Sequence, residues 1–307
     1  MFDSGAEAVF KRVKRKTEMR LTSYCVACLL NRQQERIAGF TDEEKKTAYM
    51  KEVAATMGAS EDEDSAPYMV YLFNQIYRKY FGEPTDYTAV KKEYNKYVLE
   101  MEERLHEEIM TSSDPLATAL IYARIGNYID FGAMQHVDKE QFLSLIKKDE
   151  KNALDMDVYK MFLQDCENGE NFLLLADNSG EIVIDKLFIK ELQKRFPHLK
   201  IKVMVRGGEV LNDATMQDAQ EVGLCELVPV VSNGNSVAGT VEKMMPPEAI
   251  AELDKADIIL SKGQANFETA NGCGRNIYYS FLCKCDWFSG RFHVPKYTGM
   301  FIREREK

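Results

Sequence analysis

The sequence predicts an α/β protein in which an all-helical N-terminal region precedes a mostly parallel sheet covered by helices on both faces. Three observations predict it. After Gly169, short apolar runs (Phe172–Ala176, Ile201–Val205, Leu227–Val231, Ile258–Leu260 and Tyr278–Cys283) alternate with helix-length segments, the signature of parallel strands joined by crossover helices. From about residue 15 to 165, by contrast, the pattern is helical almost throughout. A charged stretch, Lys147, Lys148, Asp149, Glu150 and Lys151, marks the change of texture near 150–168 and divides a helical domain, 1–165, from an α/β domain, 166–307.

Helix starts and stops order the first region. Thr41 and Glu44 fit a capping box. Ser65 with Pro67 opens a helix that Gly82 closes, and Tyr68, Tyr71, Leu72 and Ile76 have the spacing of a buried stripe. Asp114 before Pro115 opens another, leading into Leu116, Ala119, Leu120 and Ala123 and closing at Gly126 and Asn127. Tyr94 to Glu108, rich in Glu and Lys at helical separations, reads as a solvated face with side-chain ion pairs. In the second region the expected helices are Glu181 to Arg195, Ala214 to Val222 and Pro247 to Lys255.

With 45% hydrophobic and 29% charged residues the 307-residue chain has the composition of a soluble globular protein with a substantial core. Its 49 acidic against 40 basic side chains, net −9, argue against nucleic acid as a partner. No apolar stretch approaches the roughly 20 residues of a membrane span, and the N-terminus lacks a secretory layout, so the expected location is cytoplasmic. Seven scattered cysteines do not resemble a disulfide framework. Cys25 and Cys28 form a CxxC without two further nearby ligands for zinc, and their simpler reading is two small apolar residues on a helix face.

Chemistry concentrates at the predicted strand ends. Asp177-Asn178-Ser179-Gly180-Glu181 follows the first apolar run, and Asn212-Asp213-Ala214-Thr215-Met216 comes shortly after the second; both open helix-like segments. An Asp in this position is ordinarily a helix cap. Two such acids on adjacent crossovers, one doubled with Asn, supply instead the carboxylate and amide oxygens that hard divalent cations prefer. If the two strands are parallel neighbours, both loops emerge at one sheet edge, and Asp177, Asn178 and Asp213 share a cation. Gly180 permits a tight turn whose backbone N–H groups favour an anion, and Ser179 and Asn212 in the same turns fall with the phosphate-binding groups. Glu181 and Asp185 lie four apart on one helix face; an acidic first turn suits the helix dipole, but Glu181 beside a cation also suits water orientation. Lys262, at the end of the fourth run beside Gly263, places a point charge for a phosphate. Arg206, directly after the second run, is a further anion candidate, and Ser232-Asn233-Gly234-Asn235 is either an anion cradle or an ordinary turn.

The strings DNSGEIVID, LNDATMQDA and LSKGQANFE, in this order and spacing and with IGNYIDFGA at Ile125 to Ala133, resemble the damage-control phosphatase family, domain of unknown function 89, in its short stand-alone prokaryotic form. The resemblance covers nearly the whole chain. It implies a helical region on a Rossmann-like three-layer α/β/α sheet and divalent-metal-dependent hydrolysis of small phosphomonoesters, such as sugar phosphates or damaged phosphometabolites. Carried over residue by residue, it places the metal ligands on Asp177, Asn178 and Asp213, the phosphate-contacting lysine on Lys262, and Asn127 and Asp130 at the border of the substrate cavity. Asp213 or Glu181 orients the attacking water, and the ion is Mg, Mn, Co or Ni, since oxygen-rich sites accept all four.

Three other accounts compete. A phosphatase with an aspartate nucleophile would use Asp155-Met156-Asp157, but Lys151, Asn152 and Ala153 precede it where that motif needs an apolar strand. A dinucleotide enzyme would cite Gly272-Cys273-Gly274, but Ile277 occupies the third glycine position. A noncatalytic binder of phosphometabolites on the same fold is the third.

Overall fold

The computed structural model describes residues 21–126 and 154–304. They form two compact units: one runs to Asp86 and includes Glu268–Cys273, the other holds Tyr87–Phe267 and the residues from Gly274 onward.

The described residues of the first unit up to Asp86 form three helices, α1 (Ser23–Arg36), α2 (Glu43–Gly58) and α3 (Ala66–Phe81). Their core joins Leu29, Ile37, Tyr49, Val53, Met57, Met69, Phe73 and Ile76. Ser65 caps α3 and Gly82 ends it, as the sequence predicts. Two details differ. The cap of α2 is Asp42, not Thr41, because the Asp42 carboxylate takes the Lys45 N–H at 2.9 Å. The stripe on α3 runs through Met69, Phe73 and Ile76, while Tyr68 and Tyr71, whose hydroxyls suit a partly wet position, are only half-buried, as is Leu72.

The second unit opens with α4 (Thr88–Leu99), α5 (Glu102–Met110), α6 (Pro115–Ile125) and α7 (Met156–Asn168). Asp114 caps α6 through the Ala117 N–H. The stretch expected to be a solvated face is two amphipathic helices: Lys91, Tyr94, Asn95 and Val98 of α4 and Leu105 and Ile109 of α5 are buried.

Six strands follow: β1 (Asn171–Leu175), β2 (Lys200–Val205), β3 (Val230–Ser232), β4 (Ile258–Lys262), β5 (Ile277–Leu282) and β6 (Gly299–Glu304). Their spatial order is β3-β2-β1-β4-β5-β6, with β1 to β5 parallel and β6 antiparallel on the edge. Between them lie α8 (Glu181–Arg195), α9 (Met216–Glu221), α10 (Leu224–Leu227), α11 (Pro247–Lys255), α12 (Gln264–Ala270) and α13 (Asp286–Phe292). Side chains alternate across a strand, and here both sets are buried. Phe172, Leu174, Ile201, Val203 and Tyr278 join the core shared with α4 to α8. Tyr279 and Phe281 face the other way and meet Phe267 of α12, which also packs on Phe288 of α13. The result is the three-layer α/β/α architecture. Burial on both faces explains why β1, β4 and β5 are mostly apolar rather than alternating, with Ser261, Lys262 and Ser280 buried among them.

Leu224–Leu227 is a helical turn, so β3 starts later than its apolar run suggests. β6 escapes the sequence reading although it holds a short apolar run, Met300–Ile302; on this half-buried edge strand, ending in Arg303 and Glu304, only Phe301 is fully inside. Among the described residues no helix is long and apolar enough to cross a membrane.

Candidate active site

In an open α/β sheet the strand order reverses where the chain crosses from one side of its first strand to the other, leaving a crevice at the carboxyl edge. Here that point lies between β1 and β4. Asp177 stands at the end of β1 and Gly263 at the end of β4.

The pairing of β1 with β2 continues beyond both strands. Ala176 N–H donates to Met204 O at 2.9 Å, Ala214 N–H to Asp177 O at 2.7 Å, and Ser179 N–H to Asn212 O at 2.8 Å. Asn178 and Asp213 form an antiparallel bridge, and Arg206 bridges Thr215 in parallel. The loop after β2 therefore folds back along the loop after β1, which joins Asp177, Asn178 and Asp213 into one hydrogen-bonded turn. Gly180, at φ 75°, caps α8 and reverses the chain there.

Gly263 closes the other side. Its φ is +80°, and a Cβ placed on it would lie 2.0 Å from Asp177 Oδ2. Asn266, fully buried, donates to Ala176 O (3.1 Å) and Lys262 O (2.7 Å) and accepts from Thr240 Oγ1, which ties the ends of β1 and β4 together. Gly126, at the end of α6, approaches so closely that a Cβ would come 2.9 Å from Glu181 Cγ.

Every charged group here is buried. Arg206 donates through Nε to Asp213 Oδ2 at 2.6 Å, and its Nη2 stands 3.8 Å from Asp177 Oδ1. Asn178 Nδ2 donates to Asp177 Oδ2 (2.7 Å) and Glu181 Oε2 (3.1 Å). Lys262 Nζ donates to Glu181 Oε1 (2.6 Å), Asp185 Oδ1 (2.7 Å) and Ala123 O (2.9 Å), so each of its three protons has a protein acceptor. Burial, then the neighbouring charges of Asp213 and Glu181, push the Asp177 carboxyl well above the usual range against the pull of Arg206 and Lys284. Burial also raises Asp213, with Arg206 opposing it. Asp185 is pushed up to about 7 by burial, which the Lys262 charge only partly offsets. For Lys262 burial acts downward, but Asp185 and Glu181 overcome it and hold the ammonium above its ordinary value.

A second polar layer supports the turn from behind. Asn95 of α4 accepts the Gly180 N–H at 2.7 Å and donates to Asp218 Oδ1 at 2.9 Å. Asp218 also accepts from Ser179 Oγ, from Thr215 N–H and Oγ1, and from Lys91 at 2.8 Å. Lys91, Asn95, Asp218 and Asn266 were not among the predicted site residues. Thr215 and Asp218 carry a legible capping-box spacing, but Lys91 and Asn95 have no local signal.

The donor set fits a divalent cation. In the linked set Asp177, Asn178, Asp213, Glu181, Asp185, Arg206 and Lys262, four carboxyl groups lie beside two basic side chains, and burial raises Asp177, Asp185 and Asp213, so negative charge there is costly unless a proton or a cation offsets it. The ligands on offer are two carboxylates and an amide; among the described residues no three His, Cys, Asp or Glu side chains make a ready ligand cluster. Hard cations accept such sets, with water filling the remaining positions.

Other predicted residues are placed as follows. Asn127 and Asp130 lie outside the described residues. The N–H groups of Ser179 and Gly180 donate to Asn212 O and Asn95 Oδ1, and Asn212 is buried beside them. In Ser232–Asn235 the Gly234 and Asn235 N–H groups donate to Ser232 Oγ and Asn233 Oδ1, which is the turn reading. Asp155 caps α7 through the Asp157 and Val158 N–H groups and so opens a helix, not the end of a strand. Cys25 is half-buried and Cys28 exposed on α1.

Comparison with known proteins bears on the family and the fold. A damage-control phosphatase from Archaeoglobus fulgidus is 28% identical over 274 residues, covering 87% of this chain and 93% of its own. Damage-control phosphatase PH1575 from Pyrococcus horikoshii is 26% identical over 94% of this chain and all of its own length. The crystal structure of that DUF89 family protein from Pyrococcus horikoshii matches with a TM-score of 0.76 at 25% identity, over 93% of this chain and 99% of the other. The model of the damage-control phosphatase ARMT1-like domain matches residues 21–299, and the chain belongs to that family.

Proposed function

We propose that the site hydrolyses small phosphomonoesters, sugar phosphates or damaged phosphometabolites among them, with a divalent cation (Mn, Co, Ni or Mg) held by Asp177, Asn178 and Asp213. The observation that carries this reading is the cluster of buried carboxyl groups, built into one hydrogen-bonded turn at the switch point of the sheet. What such a cation supplies is positive charge against the phosphoryl oxygens.

The remaining work belongs to the chain's own groups and is mostly positioning and electrostatics. Asn178 presents Nδ2 to Asp177 and Glu181, so ligation through Oδ1 requires the amide to turn. Glu181, held from both sides by Asn178 and Lys262, is well placed to orient water; Asp213, tied to Arg206, is the alternative. Arg206 offers the phosphate its Nη2. Lys262 fixes Glu181, and direct contact with phosphate would require Nζ to leave one of its three acceptors. Ser179, Gly180 and Asn212 shape the phosphate turn.

The test is hydrolysis of a generic aryl phosphate with each of the four ions and with excess chelator, followed by a screen of sugar phosphates. Turnover is expected only with metal, and Asp177→Ala and Asp213→Ala are expected to abolish it in folded protein. Metal-dependent turnover in both variants refutes the ligand assignment, and binding of phosphometabolites without any turnover points to a binding protein instead.

A further inference from the structure

The geometry points to Arg206 as the residue that makes cation and phosphate binding cooperative, an inference that rests on the metal-dependent reading above. Arg206 is 2% exposed, and its guanidinium lies against both proposed carboxylate ligands. Its main chain cannot carry it away: the N–H donates to Ala214 O at 2.9 Å and the residue bridges Thr215. Nε is spent on Asp213 at 2.6 Å. Nη2 is buried without a hydrogen-bond partner among the described residues, since Asp177 Oδ1 at 3.8 Å is beyond reach.

Two consequences follow from that position. With no anion present, Arg206 is the counter-cation of Asp177 and Asp213, so a divalent ion entering between them meets a fixed like charge in a site that excludes water. An anion carrying several acceptor oxygens, such as phosphate, supplies the charge-assisted hydrogen bond that Nη2 lacks. Once it is there, negative charge lies between two cations and the repulsion becomes a bridge. By linkage each ligand then strengthens the other by the same factor. The other cations near these acids do not share this role. Lys91 is ion-paired with Asp218 and Glu209, and Lys284, which is only half-buried, acts on Asp177 through its charge.

The test is Mn2+ binding followed by the EPR signal of the free ion, with and without inorganic phosphate, after allowance for Mn2+ bound by phosphate in solution. In the wild-type protein phosphate is expected to tighten Mn2+ by a factor in the range of about 5 to 150 typical of coupled sites. Arg206→Met is expected to bind Mn2+ more tightly than wild type when phosphate is absent, and to lose the enhancement; Arg206→Lys, which keeps the charge, is expected to retain part of it. Arg206→Gln replaces Arg206→Met if that variant does not fold. Weaker Mn2+ binding in the neutral variants, or an undiminished enhancement, assigns Arg206 a merely structural role and overturns the inference. Wild-type binding of Mn2+ that is indifferent to phosphate overturns it as well. A wild-type protein that binds no Mn2+ at all sinks the metal-dependent reading itself.

Discussion

Gly263→Ala tests how tightly the end of β4 holds Asp177. Two terms act. Residue 263 has φ +80°, a conformation that costs a non-glycine residue about 1–2 kcal/mol. The new methyl would also stand 2.0 Å from Asp177 Oδ2 and 2.2 Å from Cγ, so the carboxylate must retreat by more than about 1 Å to reach van der Waals separation. Asp177 has little room to yield, because its carbonyl accepts the Ala214 N–H and its Oδ2 accepts from Asn178. Displacement of a reacting group on this scale costs on the order of 100-fold in rate. The strain alone lowers the melting temperature by roughly 2–8 °C. The assay is kcat on an aryl phosphate with saturating Mn2+, beside a thermal melt, with Gly272→Ala as control: there φ is +88° but a Cβ meets open space. Gly272→Ala should lose stability and keep its rate. If Gly263→Ala retains kcat within twofold of wild type, the contact with Asp177 does not govern the site and the reasoning fails.

Lys262→Met strips the counter-charge from Glu181 and Asp185, both fully buried, and should destabilise the protein by about 3–5 kcal/mol in urea denaturation; an unchanged midpoint would show that the two acids find other compensation. Adding Asp185→Asn, which removes one of the stranded acids, should restore part of that loss. Asn95→Ala leaves the Gly180 N–H and Asp218 short of a partner, at about 1–3 kcal/mol for each unsatisfied group, and a melt within a degree of wild type would contradict the role given to α4. For Asp218, burial alone would raise the carboxyl, but Lys91 and the Thr215 N–H and hydroxyl hold it below its ordinary value. A depressed acid contributes stability that is complete above its unfolded pKa, near 3.9, and lost as pH falls through the lower folded value. Asp218→Asn should therefore flatten the acid side of the stability curve below about pH 4 and lower the plateau above it; parallel curves for variant and wild type would exclude this contribution.

Much of the fold is legible because its signals are local. Caps at Ser65 and Asp114, the crossover helix Glu181–Arg195 and the five parallel strands each announce themselves within a few residues. Asp177 and Asp213 carry a local mark of the same kind, since each stands shortly before a helix; that they meet at one sheet edge depends on β1 and β2 pairing. Burial of polar side chains is not local. Lys91 and Asn95 look like part of a solvated helix until α4 is laid against the loop at Gly180, more than 80 residues away, where Asp218 and the Gly180 N–H claim them. Lys262 reads as a cation at a strand end, but only the position of α8 decides that Glu181 and Asp185 receive it. Periodicity and helix-start chemistry, which depend on neighbours along the chain, thus belong to the sequence. Which charges face one another in a water-excluding interior depends on distant segments meeting, and that was decided by the tertiary structure.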